Sequence, residues 1–390
     1  MKSNSNSLFI CVLSLMLTAP QVSAEGFVIP PPLSFNAGPL GLLNVSGVLS
    51  GYGIAQTNPY ADSTGLLPSK SFGDSISNAF IIINKNKGIF QYTLQAGAYS
   101  LPGVGEPLQP ATMAIKDFGV LPVAYVTIAP TPDFSISVGK MLTLIGYTGS
   151  FSYQRSNIEG GLLWDVEPTV SRGVQVNYNS GPLSVSVSLN DGYYTNRYNY
   201  LDGLVTYEIN GHNSVSLYAG GNLGHTGNIG ALNGAYAYSN NAYVTSSLGL
   251  DNSSMLGIYY EYSIGKISFD PEINYVFTHV NNSFGTVEGS SMYGAALHFT
   301  YDFTNSLSLA GAFDYTAASR HGVDGTFLGY GSGADAYSII LTPTYTNNGY
   351  FIRGEMSYVR VNNFQVGSGF GRYGTKPDQF RALLETGFWF

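Results

Sequence analysis

Charge is scarce in this 390-residue chain: Asp, Glu, Lys and Arg together make up 10% of it, against about 25% in an ordinary soluble protein. Basic residues are the scarcer sign, 16 against 24 acidic ones, for a formal charge of −8 and a pI near 5.0. That excludes a nucleic-acid binder working through a basic surface. Cysteine occurs once, at Cys11. Long apolar runs are lacking as well. After residue 24, Ala79–Ile83 is a typical apolar stretch, far short of the ~20 residues a membrane helix needs. Yet the apolar fraction is an ordinary 44%, and 30 Tyr and 48 Gly fill the place of the missing charge. Such a chain is too aromatic to be disordered. A closed β-barrel with lipid as its outer solvent fits this composition.

Lys2, the apolar run Leu8–Leu17 and the small residues Val22-Ser23-Ala24 predict a secretory signal peptide over residues 1–24, cut before Glu25. Its apolar run is too short for a membrane anchor, and Ile10 is too bulky to precede a lipoprotein cysteine. Cleavage would remove Lys2 and Cys11, leaving 15 basic residues and no thiol. Disulfides, thiol catalysis and cysteine-held metals are then excluded. Residues 25–41, with Pro30, Pro31, Pro32 and Pro39, read as a short extended periplasmic leader. It is too small for a transporter plug, and no passenger domain is expected. The barrel itself is assigned to residues 42–390.

Strands announce themselves by alternation. Leu183, Val185, Val187 and Leu189 interleave with Ser184, Ser186, Ser188 and Asn190, and the same period runs through most of the chain. The segments at 43–55, 74–84 and 120–129 alternate less cleanly. Tight connections near 84–88, 130–133, 179–182, 210–213, 265–266, 302–305 and 347–349 are built from turn-forming residues. Longer stretches near 57–73, 100–118, 148–170, 191–200, 223–253, 281–290, 317–333 and 362–377 fall between them. This predicts an all-β fold, a transmembrane antiparallel up-and-down barrel of about 16 strands (range about 14–18), with short periplasmic turns and long extracellular loops. A hairpin within 223–253 would make it 18.

A soluble sandwich also alternates, so aromatic placement has to decide. Phe90, Tyr92, Phe134, Tyr178, Tyr207, Tyr262, Phe269, Tyr301, Tyr345, Tyr350 and Phe388 share the apolar parity and lie near a short turn or the C-terminus. That is a belt at one rim, where rings prefer the lipid–water boundary. The last strand ends with Phe388 and Phe390 on the same parity, a pattern that resembles the assembly signal of bacterial outer-membrane barrels.

With lipid on the apolar face, the polar parity must line the lumen. Its charged members include Glu208, Asp270, Glu272, Arg353, Glu355, Arg381 and Glu385. On the lipid side a charge would cost up to about 2–4 kcal/mol. A 16-stranded barrel is too wide for side chains to fill and leaves an aqueous channel unless loops plug it. The loop 148–170 concentrates Arg155, Glu159, Trp164, Asp165 and Glu167, with Arg172 opening the next strand. It is the candidate constriction, with Lys140 and Arg197 available for the basic side. Opposite charges facing across it would set a transverse field; a solvated outer loop with incidental charge is the equal alternative.

Gly139-Lys140-Met141-Leu142-Thr143-Leu144-Ile145-Gly146, Asn157–Trp164, Ser171–Tyr178 and Asn190-Asp191-Gly192-Tyr193-Tyr194 resemble the outer-membrane β-barrel porins of Gram-negative bacteria, the OmpL-like porin group. The resemblance implies a porin-like protein of the bacterial outer membrane and brings no catalytic residues. The residues themselves give no enzyme signature. His212, His225, His279, His298 and His321 are scattered singly without zinc spacing, and no Gly-x-Ser-x-Gly elbow occurs. Gly369-Phe370-Gly371-Arg372-Tyr373-Gly374 lacks the strand and helix that a dinucleotide site needs. The expectation is a passive channel for ions and small polar solutes, with no cofactor and no enzyme activity. Its partners would be lipid, the outer-membrane assembly machinery and, in a homotrimer, copies of itself. A plugged barrel for surface adhesion is the alternative, and a membrane hydrolase a more distant one.

Overall fold

The computed structural model describes residues 30–59, 70–107, 110–226, 248–282, 289–320 and 327–390. The expected signal peptide, the interior of the stretch that could hold an added hairpin and His321 lie outside them. Strand β1 (Leu33–Asn36) is a short extension within the expected leader, paired with the start of β2. The wall is β2 (Leu42–Gln56), β3 (Phe72–Lys85), β4 (Phe90–Tyr99), β5 (Val123–Thr131), β6 (Phe134–Leu142), β7 (Val170–Ser180), β8 (Leu183–Asn190) and β9 (Tyr200–Asn210), followed by β10 (Asn213–Asn222), β11 (Ser253–Ile264), β12 (Ile267–Thr278), β13 (Ser290–Thr304), β14 (Leu307–Ala318), β15 (Asp335–Asn347), β16 (Tyr350–Asn362) and β17 (Asp378–Trp389).

Each of these strands pairs antiparallel with its sequence neighbours, and β17 pairs with β2. The result is a closed 16-stranded barrel, as the alternation of short and long connections implied. Short turns such as Gly181-Pro182, Gly265-Lys266 and Asn348-Gly349 join strands at one rim. Asn348 and Gly349 both take positive φ, 50° and 85°, as tight hairpin turns require. One long connection departs from expectation: residues 111–118 form a helix, α1 (Ala111–Phe118). Its buried Ala111, Ala114 and Phe118 fall at spacings of three and four, a helical face too brief to compete with the strand period around it.

Parity decides the two faces. Val174, Val176 and Tyr178 on β7 are exposed outward, as are Val187 and Leu189 on β8, while Gln175, Ser186 and Ser188 between them are buried. The aromatic belt is present at the short-turn rim, with Phe134 beside Tyr178, Tyr262 beside Phe269 and Tyr350 beside Phe388 across strands. A second belt, not anticipated, rings the other rim, where Tyr275 pairs with Tyr293, Tyr315 with Tyr337 and Tyr358 with Phe380. Tyr293 and Tyr301 on β13 mark the two belts. At about 3.4 Å per residue and a tilt of about 40° they stand roughly 20 Å apart along the axis, close to the ~25 Å apolar band of such barrels.

The β17–β2 seam continues to Phe390. Gly47 and Phe390 exchange backbone hydrogen bonds of 2.9 and 3.0 Å, and the Phe390 ring lies where a Cβ on Gly47 would stand. Replacing Gly47 by Leu should therefore displace the ring and cost about 1–3 kcal/mol, the range for overpacking. Gly354→Leu on β16, where a Cβ would meet only Pro343 at an ordinary 3.9 Å, is the matched control. Heat-modifiability on gels and urea unfolding in detergent should show the loss for Gly47→Leu alone; equal behaviour of the two variants would contradict the seam.

Candidate functional site

The loop between β6 and β7, residues 143–169, folds into the lumen. Apolar anchors hold it. Phe151 and Tyr153 join Val48, Phe80, Tyr99, Phe351 and Trp389 in one buried cluster. Ile158 packs on Tyr52, Ile54 and Leu383. Leu144, Ile145, Leu162 and Val166 enter a larger cluster with Tyr218, Met255, Val276, Met292 and Ile340. These wall residues point inward, so the lumen is not uniformly polar as the sequence pattern implied. Where the loop lies, the inner wall is apolar because a packed segment, not water, is its neighbour.

Local sequence lets the loop approach this closely. A Cβ on Gly160 would strike the Trp164 ring, and one on Gly161 would strike the Asp314 carboxylate. Trp164 lies against the buried Arg155 guanidinium, 4.6 Å from its ring centre, a cation–π contact. Arg155 Nη2 also donates to the Ile158 carbonyl at 2.7 Å, closing the turn. Burial and the neighbouring Arg353 lower the Arg155 pKa to about 10.

Polar contacts then fix the loop to β14–β17. Glu355 accepts hydrogen bonds from the backbone N–H groups of Ile158 and Glu159 at 2.5 and 2.9 Å and from Thr342 at 2.7 Å. Arg381 pairs with Glu159 at 2.5 Å and donates to the carbonyls of Gly103, at 2.7 Å, and Glu106, so the preceding loop is gathered into the same knot. Arg353 pairs with Glu385 at 2.5 Å, both fully buried, and donates to the carbonyls of Arg155 and Ser152 at 2.9 and 3.0 Å. On the opposite flank, Tyr147 donates its N–H to Glu272 at 3.1 Å and its hydroxyl to Asp270 at 2.8 Å.

Of the residues expected at the constriction, Arg155, Glu159, Asp165, Glu167, Glu272, Arg353 and Glu355 are brought together along this loop–wall seam. Lys140 and Arg172 are register partners but share the strand parity of the outward Val138 and Val174. Lys140 donates to the Phe118 carbonyl at 2.6 Å, while Arg172 pairs with Asp191 at 2.6 Å and stacks on Tyr194. Arg197 is exposed in the next loop, and Glu208 is exposed near a short turn. Sequence reasoning passed over Asp314, Tyr147 and the apolar anchors. Their signal was the imperfect alternation of 43–55 and 74–84, where both parities are apolar because lipid covers one face and a loop the other. No group of His, Cys, Asp and Glu suited to a metal occurs among the described residues.

Residues 42–390 match the family described as "Putative beta-barrel porin-2, OmpL-like". The chain belongs to this family. No curated protein matches its sequence, but solved structures share its fold. The Salmonella typhi OmpF complex with daunomycin is 13% identical, with 92% of this chain and 100% of that one covered at a TM-score of 0.58. The anion-selective porin from Comamonas acidovorans is 9% identical (89% and 99% covered, TM-score 0.56). In-vitro folded Vibrio cholerae OmpT, in its trimer form, is 11% identical (89% and 99%, TM-score 0.52). At such identities the likeness establishes the fold alone. With the family it makes this an outer-membrane β-barrel of the porin type.

The seam generates two expectations. Removing one partner of the buried Arg381–Glu159 pair leaves a stranded charge, about 3–5 kcal/mol. Arg381→Met or Glu159→Gln alone should therefore expose residues 143–169 to protease more than the two together; additive exposure would contradict this. The second concerns pH. Burial pushes the loop carboxyls of Asp165 and Glu167 well above the carboxylate range, and nearby acids add to it: Glu106 and Asp314 for Asp165, Glu272 and Asp314 for Glu167. Burial also takes Glu106 from 4.5 up to about 7. A folded-state pKa above the unfolded one favours docking while the acid is protonated, and that advantage is lost as pH rises through the folded value. Protease cleavage within the loop should rise between about pH 5 and 8, and the rise should shrink in a Glu106→Gln, Asp165→Asn, Glu167→Gln triple variant.

Proposed function

We propose that this protein is a general porin whose water-filled lumen carries ions and small hydrophilic solutes by passive diffusion, narrowed at mid-barrel by residues 143–169. The observation that carries the reading is the docked loop inside a closed 16-stranded wall: it leaves the loop a fixed obstacle in a barrel whose β5–β9 wall is polar toward the short turns, at Thr127, Ser137, Gln175 and Ser186. Arg155, Glu159, Asp165, Glu167, Glu272, Arg353 and Glu355 serve to hold that obstacle in place. Lys140, Arg172, Arg197 and Glu208 lie off the seam and would act at the channel mouths or the outer rim. Outer-membrane lipid covers the belts, and the strand ending in Phe388 and Phe390 is the segment offered to the assembly machinery. A homotrimer is supported by small outward residues on adjacent strands, Gly51, Gly53 and Ala55 of β2, Ala79 of β3, and Ala96 and Ala98 of β4, a smooth face that another barrel could approach.

A second reading, a plugged barrel acting through its outer loops, is favoured by the apolar clusters inside the lumen. Planar-bilayer recording of detergent-folded protein separates the two. The pore reading expects stepwise conductance, in groups of three for a trimer. It also expects a several-fold larger step when residues 148–165 are replaced by a short Gly-Ser link. Folded protein that stays silent, with the loop intact and with it removed, would favour the plugged barrel.

A further inference from the structure

Charge is divided unevenly around the wall. Strands β8 to β15, half of the barrel, contain no Lys or Arg at all. Yet Glu208, Glu261, Asp270, Glu272, Asp302 and Asp314 on these strands all have the inward parity. Among the described residues, the arginines that point into the lumen are Arg155, Arg353 and Arg381. They come from the constriction loop, β16 and β17, and each is already held by a carbonyl or a carboxylate.

Register sets three of these acids in one row. Ser214 on β10 is paired with Glu208 on β9 and with Glu261 on β11, and its hydroxyl donates to Glu261 at 2.7 Å. The β11–β12 register, with Tyr262 opposite Phe269 and Tyr259 opposite Glu272, places Asp270 beside Glu261. Asp270 in turn faces His298 on β13. In a tilted barrel such a row climbs like a ramp. It starts at the exposed Glu208, close to the β9–β10 turn, and passes the half-buried Glu261. It ends at the buried Asp270, to which the Tyr147 hydroxyl of the constriction loop donates at 2.8 Å. Ser214 and Tyr147 are neutral donors, which solvate an acid without cancelling its charge. The nearest turn cation, Lys266, is exposed and gives its ammonium to the Phe303 carbonyl at 2.8 Å. The excess of acceptors reaches the loop itself: Glu167, 7% exposed and near Glu272, leaves Oε1 without a hydrogen bond.

We infer that this channel favours small cations, inorganic or amine, and that the row Glu208, Glu261 and Asp270 selects them. This rests on the pore reading above. A cleft lined by charges of one sign, with low-dielectric walls, focuses its field and concentrates the opposite charge. Rings of carboxylates favour cations in channels for this reason. An anion entering at the short-turn mouth meets Glu208 first, and no cation on β8–β15 offsets it. The seam does not reverse the sign, because Arg381 and Arg353 are paired with Glu159 and Glu385 and Arg155 is tied to the loop's own backbone.

The test is planar-bilayer recording of the folded protein, with reversal potentials in gradients of KCl and of methylammonium chloride. Both cations should be at least about five-fold more permeant than chloride near 0.1 M salt, with the preference fading toward about 1 M as screening shortens the reach of the field. Glu208→Gln, Glu261→Gln should lose most of that preference. Glu208→Gln alone, a change at an exposed position, should lose part of it, and heat-modifiability checks that each variant is folded. Equal permeability of cation and chloride, an anion preference, or a preference kept in full by the folded variants would overturn the inference while leaving the pore intact. Folded protein that never conducts would remove the pore reading and this one with it.

Discussion

A strand in hydrocarbon can send its backbone N–H and C=O groups only to another strand, so a sheet that crosses a bilayer must close on itself. In this protein that closure is made by the pairing of β17 with β2. The C-terminal residue takes part in it through its backbone and its ring, and the glycine opposite makes the approach possible. Once the ring of strands is shut, alternation has a fixed meaning: one parity faces lipid and the other cannot. The outward Val, Leu and Ile, the two aromatic belts and the near absence of charge follow from that condition, because solvent is apolar along the middle of the wall and polar at its edges.

Most of this architecture was legible in the sequence. Leu183–Asn190 alternates without a fault, and Gly265-Lys266 can hardly be anything but a turn. The strand count followed from such pairs, and the structure bears it out. What could not be read was the inside. Phe80, Phe351 and Trp389 sit on the parity assigned to a wet lumen, yet each is buried in an apolar cluster. A pattern rule that knows two environments, lipid and water, has no place for a third, the packed underside of a loop 70 or more residues away in sequence. The helix α1 escaped for a related reason: one short turn-bounded segment carries too few residues for its period to stand out.

The candidate site was half visible. The accumulation of Arg155, Glu159, Asp165 and Glu167 in a charge-poor chain marked a loop that folds inward, and Arg353 and Glu355, read as inward by parity, meet it there. Their geometry was not visible. Charges expected to face each other across a gap instead meet on one side, with Glu159 on Arg381 and two loop N–H groups on Glu355. Lys140 and Arg172 also carry charge, but alternation places them with outward residues, where Asp191, Tyr194 and a helix carbonyl receive them. Composition tells which segment is unusual; only the fold tells what it faces.

A loop inside a pore has two opposed requirements, and the seam shows how they are reconciled. It must not drift, and in water a single surface ion pair would hold it poorly, at about 0–1 kcal/mol. Burial solves this by mixing apolar anchors with ion pairs taken out of water: a charge stranded in a dry seam is costly, so each pair resists separation even where its net contribution to stability is small. The same burial keeps those charges within the seam. Rigidity of the loop and the burial of its charges are thus two results of one arrangement, the packing of residues 143–169 against β14–β17.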